Sequence, residues 1–194
     1  MRVEGRAVFL DRDGVLIEDV DLLTDAAQIR TLPGAAEALQ GLKGAGFRLV
    51  VVSNQTVVAR GMATERDVET INCEVERRLR LEGAPPFDGF YFCPHHPKAT
   101  LEQYRLDCDC RKPRAGLLRR AAGDLKIDLM RSFMVGDRIT DIAAGKTAGC
   151  RTALVQTGRH AAPPIVTSEP FDPALKADWT GPDLSAAAQW ILGA

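Results

Sequence analysis

Apolar runs and helical stripes alternate along this chain. Ala7-Val8-Phe9-Leu10 is short and wholly apolar, the pattern of a buried strand. Pro33-Gly34 opens a stretch with Ala36, Leu39 and Leu42 on one helical face, closed by Gly44 and Gly46. "FRLVVVSN" is the second strand, rich in β-branched residues and apolar through its middle, as a parallel strand covered on both faces should be. Thr64 with Asp67 predicts a helix cap, and Val68, Ile71, Val75 and Leu79 follow at helical spacing. "FDGFYFC" predicts a third strand, "RAGLLRRAAGDL" a helix, "SFMVGD" a fourth strand, "TDIAAGKTAG" a helix with a glycine stop and "CRTALVQTG" a fifth strand. Residues 94–113 are irregular and crowded with Pro, His and Cys. A Pro-rich stretch from Ala162 to Pro173 is expected to wrap the surface, and "DLSAAAQWILGA" to close the chain as a helix. With no repeat or linker, residues 1–194 read as a single domain of the α/β class, built on a doubly wound parallel sheet.

Charge and composition narrow the partners. A net charge of -1 gives no electrostatic case for nucleic acid or an anionic membrane. No apolar run approaches the ~20 residues that span a bilayer, and the N-terminus lacks the pattern of a signal peptide. The expectation is a cytoplasmic monomer. There, clustered cysteines point to metal more than to disulfides. Of five cysteines, Cys93, Cys108 and Cys110 cluster beside histidines; Cys73 and Cys150 stand apart and read as free thiols in packed positions.

The chemistry gathers where strands end. In doubly wound sheets, ligands bind beyond the carboxyl ends of the strands. The first strand ends in Asp11-Arg12-Asp13-Gly14, the second in Ser53-Asn54-Gln55, and the fourth in Gly136-Asp137 with Asp141 four residues on. Carboxylates converging on one point repel each other, so a hard cation is expected among them; oxygen ligands with open positions suit Mg²⁺. A carboxylate beside Mg²⁺ and Lys112 stays ionised and can attack phosphorus to give an aspartyl-phosphate. Ser53 and Lys112 can bind the phosphoryl oxygens. Asp13 is placed to protonate the leaving oxygen and then to deprotonate the attacking water.

A second cluster lies in the irregular loop. Cys93-x-His95 is followed, after twelve residues, by Cys108-x-Cys110, with His96 a competing imidazole. Three thiolates and one imidazole suit a closed, structural Zn²⁺ site. Because Cys110 directly precedes Arg111-Lys112, zinc would anchor the loop that carries the lysine.

The motifs "FLDRDGVL", "VVSNQ", "CRKP" and "VGDRITD" resemble the haloacid dehalogenase-like phosphohydrolases over roughly residues 7 to 155. The resemblance implies Asp11 as nucleophile, Asp13 as general acid/base, Ser53 and Lys112 on the phosphoryl group, and Mg²⁺ on the Asp11 side chain, the Asp13 carbonyl and Asp137, with Asp141 outside them. The zinc loop is similar to that of the branch holding the heptose 1,7-bisphosphate 7-phosphatases and the histidinol-phosphate phosphatases. Its long interval favours the heptose side, which feeds lipopolysaccharide and other surface glycans, and its pattern selects His95 over His96. On that resemblance the substrate is a sugar bisphosphate, and Asn54, Arg60, Arg111 and Lys112 help bind it. The gaps between Leu16 and Pro33 and between Ser53 and Lys112 leave no room for a cap domain, so an open mouth with the zinc loop as one wall is expected. His160 reads as an exposed loop residue. Histidinol-phosphate hydrolysis is the nearest rival; a binding protein without turnover, or a zinc-loop interaction module, is the rival of another class.

Overall fold

The computed structural model describes residues 5–159 and 174–194. At its centre lies β1 (Ala7–Leu10), all four residues of which are buried. It pairs in parallel with β2 (Arg48–Asn54) on one side and β4 (Phe133–Gly136) on the other. Beyond β2 lies β3 (Gly89–Cys93); beyond β4 come β5 (Arg151–Val155) and β6 (Trp179–Gly181), giving the order β3-β2-β1-β4-β5-β6. Every pairing is parallel. β1 and β4 are apolar throughout because helices cover both faces, as the wholly apolar runs predicted.

Strand alternation divides the core. Val8 and Leu10 face a cluster completed by α1 (Ala35–Gly44), α3 (Glu65–Leu81) and α6 (Leu184–Leu192), with Leu39, Val75 and Ile191 among its members. Phe9 faces the opposite cluster with Leu117 and Leu118 of α4 (Gly116–Leu125) and Ala144 of α5 (Ile139–Ala148). The expected Thr64 cap is present in full: its side chain accepts from the Asp67 backbone while Asp67 accepts from the Thr64 backbone. Two elements carry no periodicity long enough to read from sequence, the single turn α2 (Thr56–Ala59) and the three-residue β6. Cys150 is buried as expected, but Cys73 is exposed. It sits two positions past Ile71, which turns it about 200° away from the buried stripe of α3. The expectations for Ala162 to Pro173 and for His160 fall outside the described residues.

Register decides where the chemistry sits. Leu10 pairs with Val51 and Val135, so the next residues along β1, β2 and β4 emerge at one edge. The Asp11 backbone N–H still donates to Val135 O at 3.0 Å, fixing the nucleophile candidate against β4. Residues 17–31 form a small flap closed by Glu18 N–H to Arg30 O at 2.9 Å and an antiparallel bridge from Ile17 to Thr31. No helix among the described residues is long and apolar enough to cross a membrane.

Candidate active site and metal centres

Lys112 is the pivot of the strand-end cluster. It is 2 % exposed, and its ammonium lies 3.0 Å from Asp11 Oδ1 and 2.7 Å from Asp141 Oδ1 while donating to Val52 O at 2.8 Å. Burial works against its charge, but Asp11 and Asp141 outweigh it and hold its pKa above the ordinary lysine value. Asn54 fixes the backbone beneath it: Nδ2 donates to Lys112 O at 3.0 Å and Oδ1 accepts from Lys112 N–H at 3.1 Å. Asn54 lines the cleft as expected, but both ends of its amide are committed to aiming the lysine.

Asp11, Asp137 and Asp141 bring carboxylate oxygens within 4.8 Å of one another, all three buried. Three carboxylates against one ammonium leave an uncompensated negative charge in a dry site. Burial, with the neighbouring carboxylates, pushes Asp11 up to about 8 despite Lys112. Burial and Asp141 push Asp137 up to about 6. Asp137 Oδ2 accepts the Arg159 backbone N–H at 2.6 Å, whereas its Oδ1 is buried and has no hydrogen-bond partner among the described residues. A hard divalent cation fits both facts, since it supplies the missing charge and a partner for that oxygen. Glycines make the close approach feasible. A Cβ on Gly14, whose φ is +77°, would lie 2.6 Å from Asp137 Oδ2; one on Gly158 would lie 2.2 Å from it.

These side chains open onto a cleft of about 90 Å³, lined by Asp11, Asp13, Asn54, Arg111 and Lys112 among others. Asp13 is 22 % exposed there and pairs with Arg12 at 2.9 Å. Ser53 lies beneath, 1 % exposed, its hydroxyl accepting from Gln55 Nε2 at 3.2 Å. The sequence reading missed Asp19, Asp21, Arg138 and Thr140, which line the cleft together with Thr56. Arg138 follows Asp137 directly and pairs with Asp19 of the flap at 3.1 Å; its position after a strand-end aspartate was the available signal. Arg60 differs from expectation. It caps the C-terminal end of α2, is exposed, and is not among the residues lining the cleft. Arg111 and Lys112, at the end of the Cys/His loop, line the cleft, as do Asp19 and Asp21 of the flap.

Cys93, His95, Cys108 and Cys110 converge as their spacing predicted. Cys110 Sγ lies 3.1 Å from Cys93 Sγ, 3.2 Å from Cys108 Sγ and 3.3 Å from His95 Nδ1. Hydrogen bonding from Cys93, Cys108 and His95 lowers the Cys110 thiol to about 5, so the cluster already favours a thiolate. Three sulfurs and one imidazole nitrogen around a common centre make a donor set that could hold tetrahedral zinc. His96 points elsewhere; its Nδ1 accepts the Lys98 backbone N–H at 3.0 Å. Arg111 NH1 donates to His95 O at 3.1 Å, tying the ligand cluster to a cleft-lining guanidinium whose Nε is buried without a hydrogen-bond partner among the described residues.

Comparison with known proteins gives this geometry a family. Residues 109–187 match the HAD-hydrolase-like family model. The chain is 40 % identical over 187 residues to the D-glycero-β-D-manno-heptose-1,7-bisphosphate 7-phosphatase of Escherichia coli K12, covering 96 % of this chain and 87 % of that one. It belongs to this phosphatase family. The Pasteurella multocida member is 43 % identical over 155 residues, covering 79 % of this chain and 83 % of its own. Among solved structures, the D,D-heptose 1,7-bisphosphate phosphatase of B. bronchiseptica, complexed with magnesium and phosphate, superposes with a TM-score of 0.79 at 30 % identity, covering 97 % of this chain and 98 % of that one. Like other HAD-like phosphatases, the chain is a phosphoric monoester hydrolase.

Proposed function

We propose that this phosphatase removes the 7-phosphate of D-glycero-β-D-manno-heptose 1,7-bisphosphate, with Mg²⁺ at the Asp11–Asp137 cluster and Zn²⁺ at the Cys93, His95, Cys108, Cys110 cluster. One observation carries the reading: a buried carboxylate, Asp11, within 3.0 Å of a lysine and beside an unsatisfied Asp137 oxygen, at the floor of an open cleft. When bound, Mg²⁺ would neutralise the carboxylates and hold a phosphoryl oxygen. Asp11 attacks phosphorus; Lys112 and Ser53 stabilise the charge on the phosphoryl oxygens. The sugar hydroxylate leaves with a proton from Asp13, and an aspartyl-phosphate remains on Asp11. Asp13, paired with Arg12 at 2.9 Å and now short of its proton, then takes one from the water that cleaves the acyl-phosphate. Arg111 and Arg138 are the guanidinium groups lining the cleft and suit the second phosphate. Zinc would fix the loop that delivers Arg111 and Lys112.

The β anomer is preferred here because the relatives that cover most of this chain carry that name. The test is phosphate release, with Mg²⁺, from the β and α heptose 1,7-bisphosphates and from histidinol phosphate. The expected result is β preference, abolished in Asp11→Asn. Preference for histidinol phosphate would reassign the substrate and leave the mechanism intact.

A further inference from the structure

Arg12 lies between the two carboxylates of Asp11-x-Asp13, and the chemistry above uses only its contact with Asp13. Among the described residues it is the largest fully buried side chain, at 1 % exposure. An arginine out of water must have its donors met, and each partner here is specific. Nε and NH2 reach Asp13 Oδ1 at 3.3 and 3.1 Å, and NH2 also reaches Asp13 Oδ2 at 2.9 Å. The same NH2 donates to Gln55 Oε1 at 2.9 Å, and NH1 donates to Asn72 Oδ1 at 3.0 Å. Gln55 completes the ring, its Nε2 donating to Asp13 Oδ2 at 3.0 Å. Gln55 and Asn72 are themselves 4 % and 5 % exposed.

A planar guanidinium held at both ends cannot rotate without losing a bond in a dry site. Asn72 is the far anchor. It sits on α3, on the core side, and touches neither the cleft nor the carboxylates. Its presence on an otherwise apolar stripe with Val68, Ile71 and Val75 has no packing rationale, since a buried amide costs stability unless it is bonded. Bonding to Arg12 explains it.

We infer that Asn72, Arg12 and Gln55 form a positioning chain that aims the Asp13 carboxylate at the leaving oxygen, making α3 part of the catalytic apparatus. The inference rests on the assignment of Asp13 as general acid/base. None of the three lines the cleft; Asn72 and Arg12 act through Asp13, and Gln55 bonds both Asp13 and Ser53.

The test exploits leaving groups. kcat/KM reports steps through departure of the leaving group. An alkyl phosphate, such as the heptose 7-phosphate, needs a proton from an aimed acid; nitrophenolate departs without one. Asn72→Ala should lower kcat/KM for the heptose bisphosphate about tenfold, a fraction of what general acid catalysis supplies, and leave that for p-nitrophenyl phosphate within twofold. Asn72→Asp keeps an acceptor for NH1 and should restore most of the loss. Asp13→Asn should show the same selectivity with a larger drop. Equal losses on both esters in Asn72→Ala, or no loss on either, would overturn the positioning chain while Asp13→Asn stays selective. A non-selective Asp13→Asn would instead sink the acid/base assignment, and the inference with it. Should Asn72→Ala fail to fold, Asn72→Leu fills the site with an apolar side chain of similar volume, removes the acceptor for NH1 and is read in the same way.

Discussion

Two donor clusters meet at the segment from Cys110 to Lys112, and they are held by opposite means. The carboxylate cluster draws Asp11 from the end of β1, Asp137 from the end of β4 and Asp141 from α5. The hydrogen-bonded sheet brings these together, whatever occupies the centre. The thiol cluster draws all four ligands from residues 93–110, a stretch whose regular structure beyond β3 is a single 3₁₀ turn at Glu102–Tyr104. In the proposed metal assignment the ion itself supplies the cross-link there. On that assignment one site is built by the fold to receive a metal, and the other uses a metal to finish the fold.

Breaking the first site should cost chemistry and nothing else. Asp11→Asn is expected to lower turnover by about 10⁴-fold or more, as loss of a covalent nucleophile does. Circular dichroism and bound zinc should be unchanged, because Asp11 sits in the sheet frame and not in the loop. Breaking the second should cost order first. Cys110→Ser, or chelation, is expected to release the zinc measured by atomic absorption. Amide exchange across 94–110 should accelerate with β1 and β4 still protected, and activity should drop about 10- to 100-fold through the displaced Arg111 and Lys112.

The carboxylate cluster also has a pH signature that the thiol cluster does not share. Metal-free, Asp11 is raised to about 8 and Asp137 to about 6, chiefly by burial. A carboxyl group whose pKa is raised on folding binds more protons folded than unfolded. Its stabilising contribution is therefore full below the ordinary carboxylate value near 4 and is lost as pH climbs to about 8. Denaturation midpoints without magnesium should fall from pH 5 to pH 8, and saturating Mg²⁺ should flatten that slope. Calorimetry in buffers of different ionisation enthalpy should register proton release on Mg²⁺ binding near neutral pH. The smallest effect sharpens the boundary of the cleft. Arg60→Ala should change kcat/KM by less than about twofold, because Arg60 is exposed and outside the lining. Arg111→Ala, which removes a buried guanidinium from that lining, should cost about tenfold or more.

Strand ends were legible in the sequence because two short-range signals coincide there: an apolar run, and the abrupt arrival of Asp, Ser or Gly-Asp. The thiol cluster was legible because its spacing is local. What escaped was long-range pairing. Nothing near Asn54 announces that its amide will grip the Lys112 backbone. Asp19 and Asp21 meet Arg138 and Arg159, more than 100 residues away in sequence, only through the fold of the flap. Nothing near Asn72 announces that its partner will be Arg12, 60 residues away. Cys73 was misplaced because its face of α3 depends on counting from Ile71, and β6 is too short to show alternation.

The central place of β1 bears on how the chain is made. Ala7–Leu10 is translated about 120 residues before one of its two partners, Phe133–Gly136. Until then one edge of an apolar strand has no native neighbour, and the nascent molecule carries Asp11 and Asp13 with no Asp137 beside them. Co-translational intermediates therefore expose a sticky edge for much of synthesis and hold no assembled site, which marks this stretch of translation as the period of greatest demand for a chaperone.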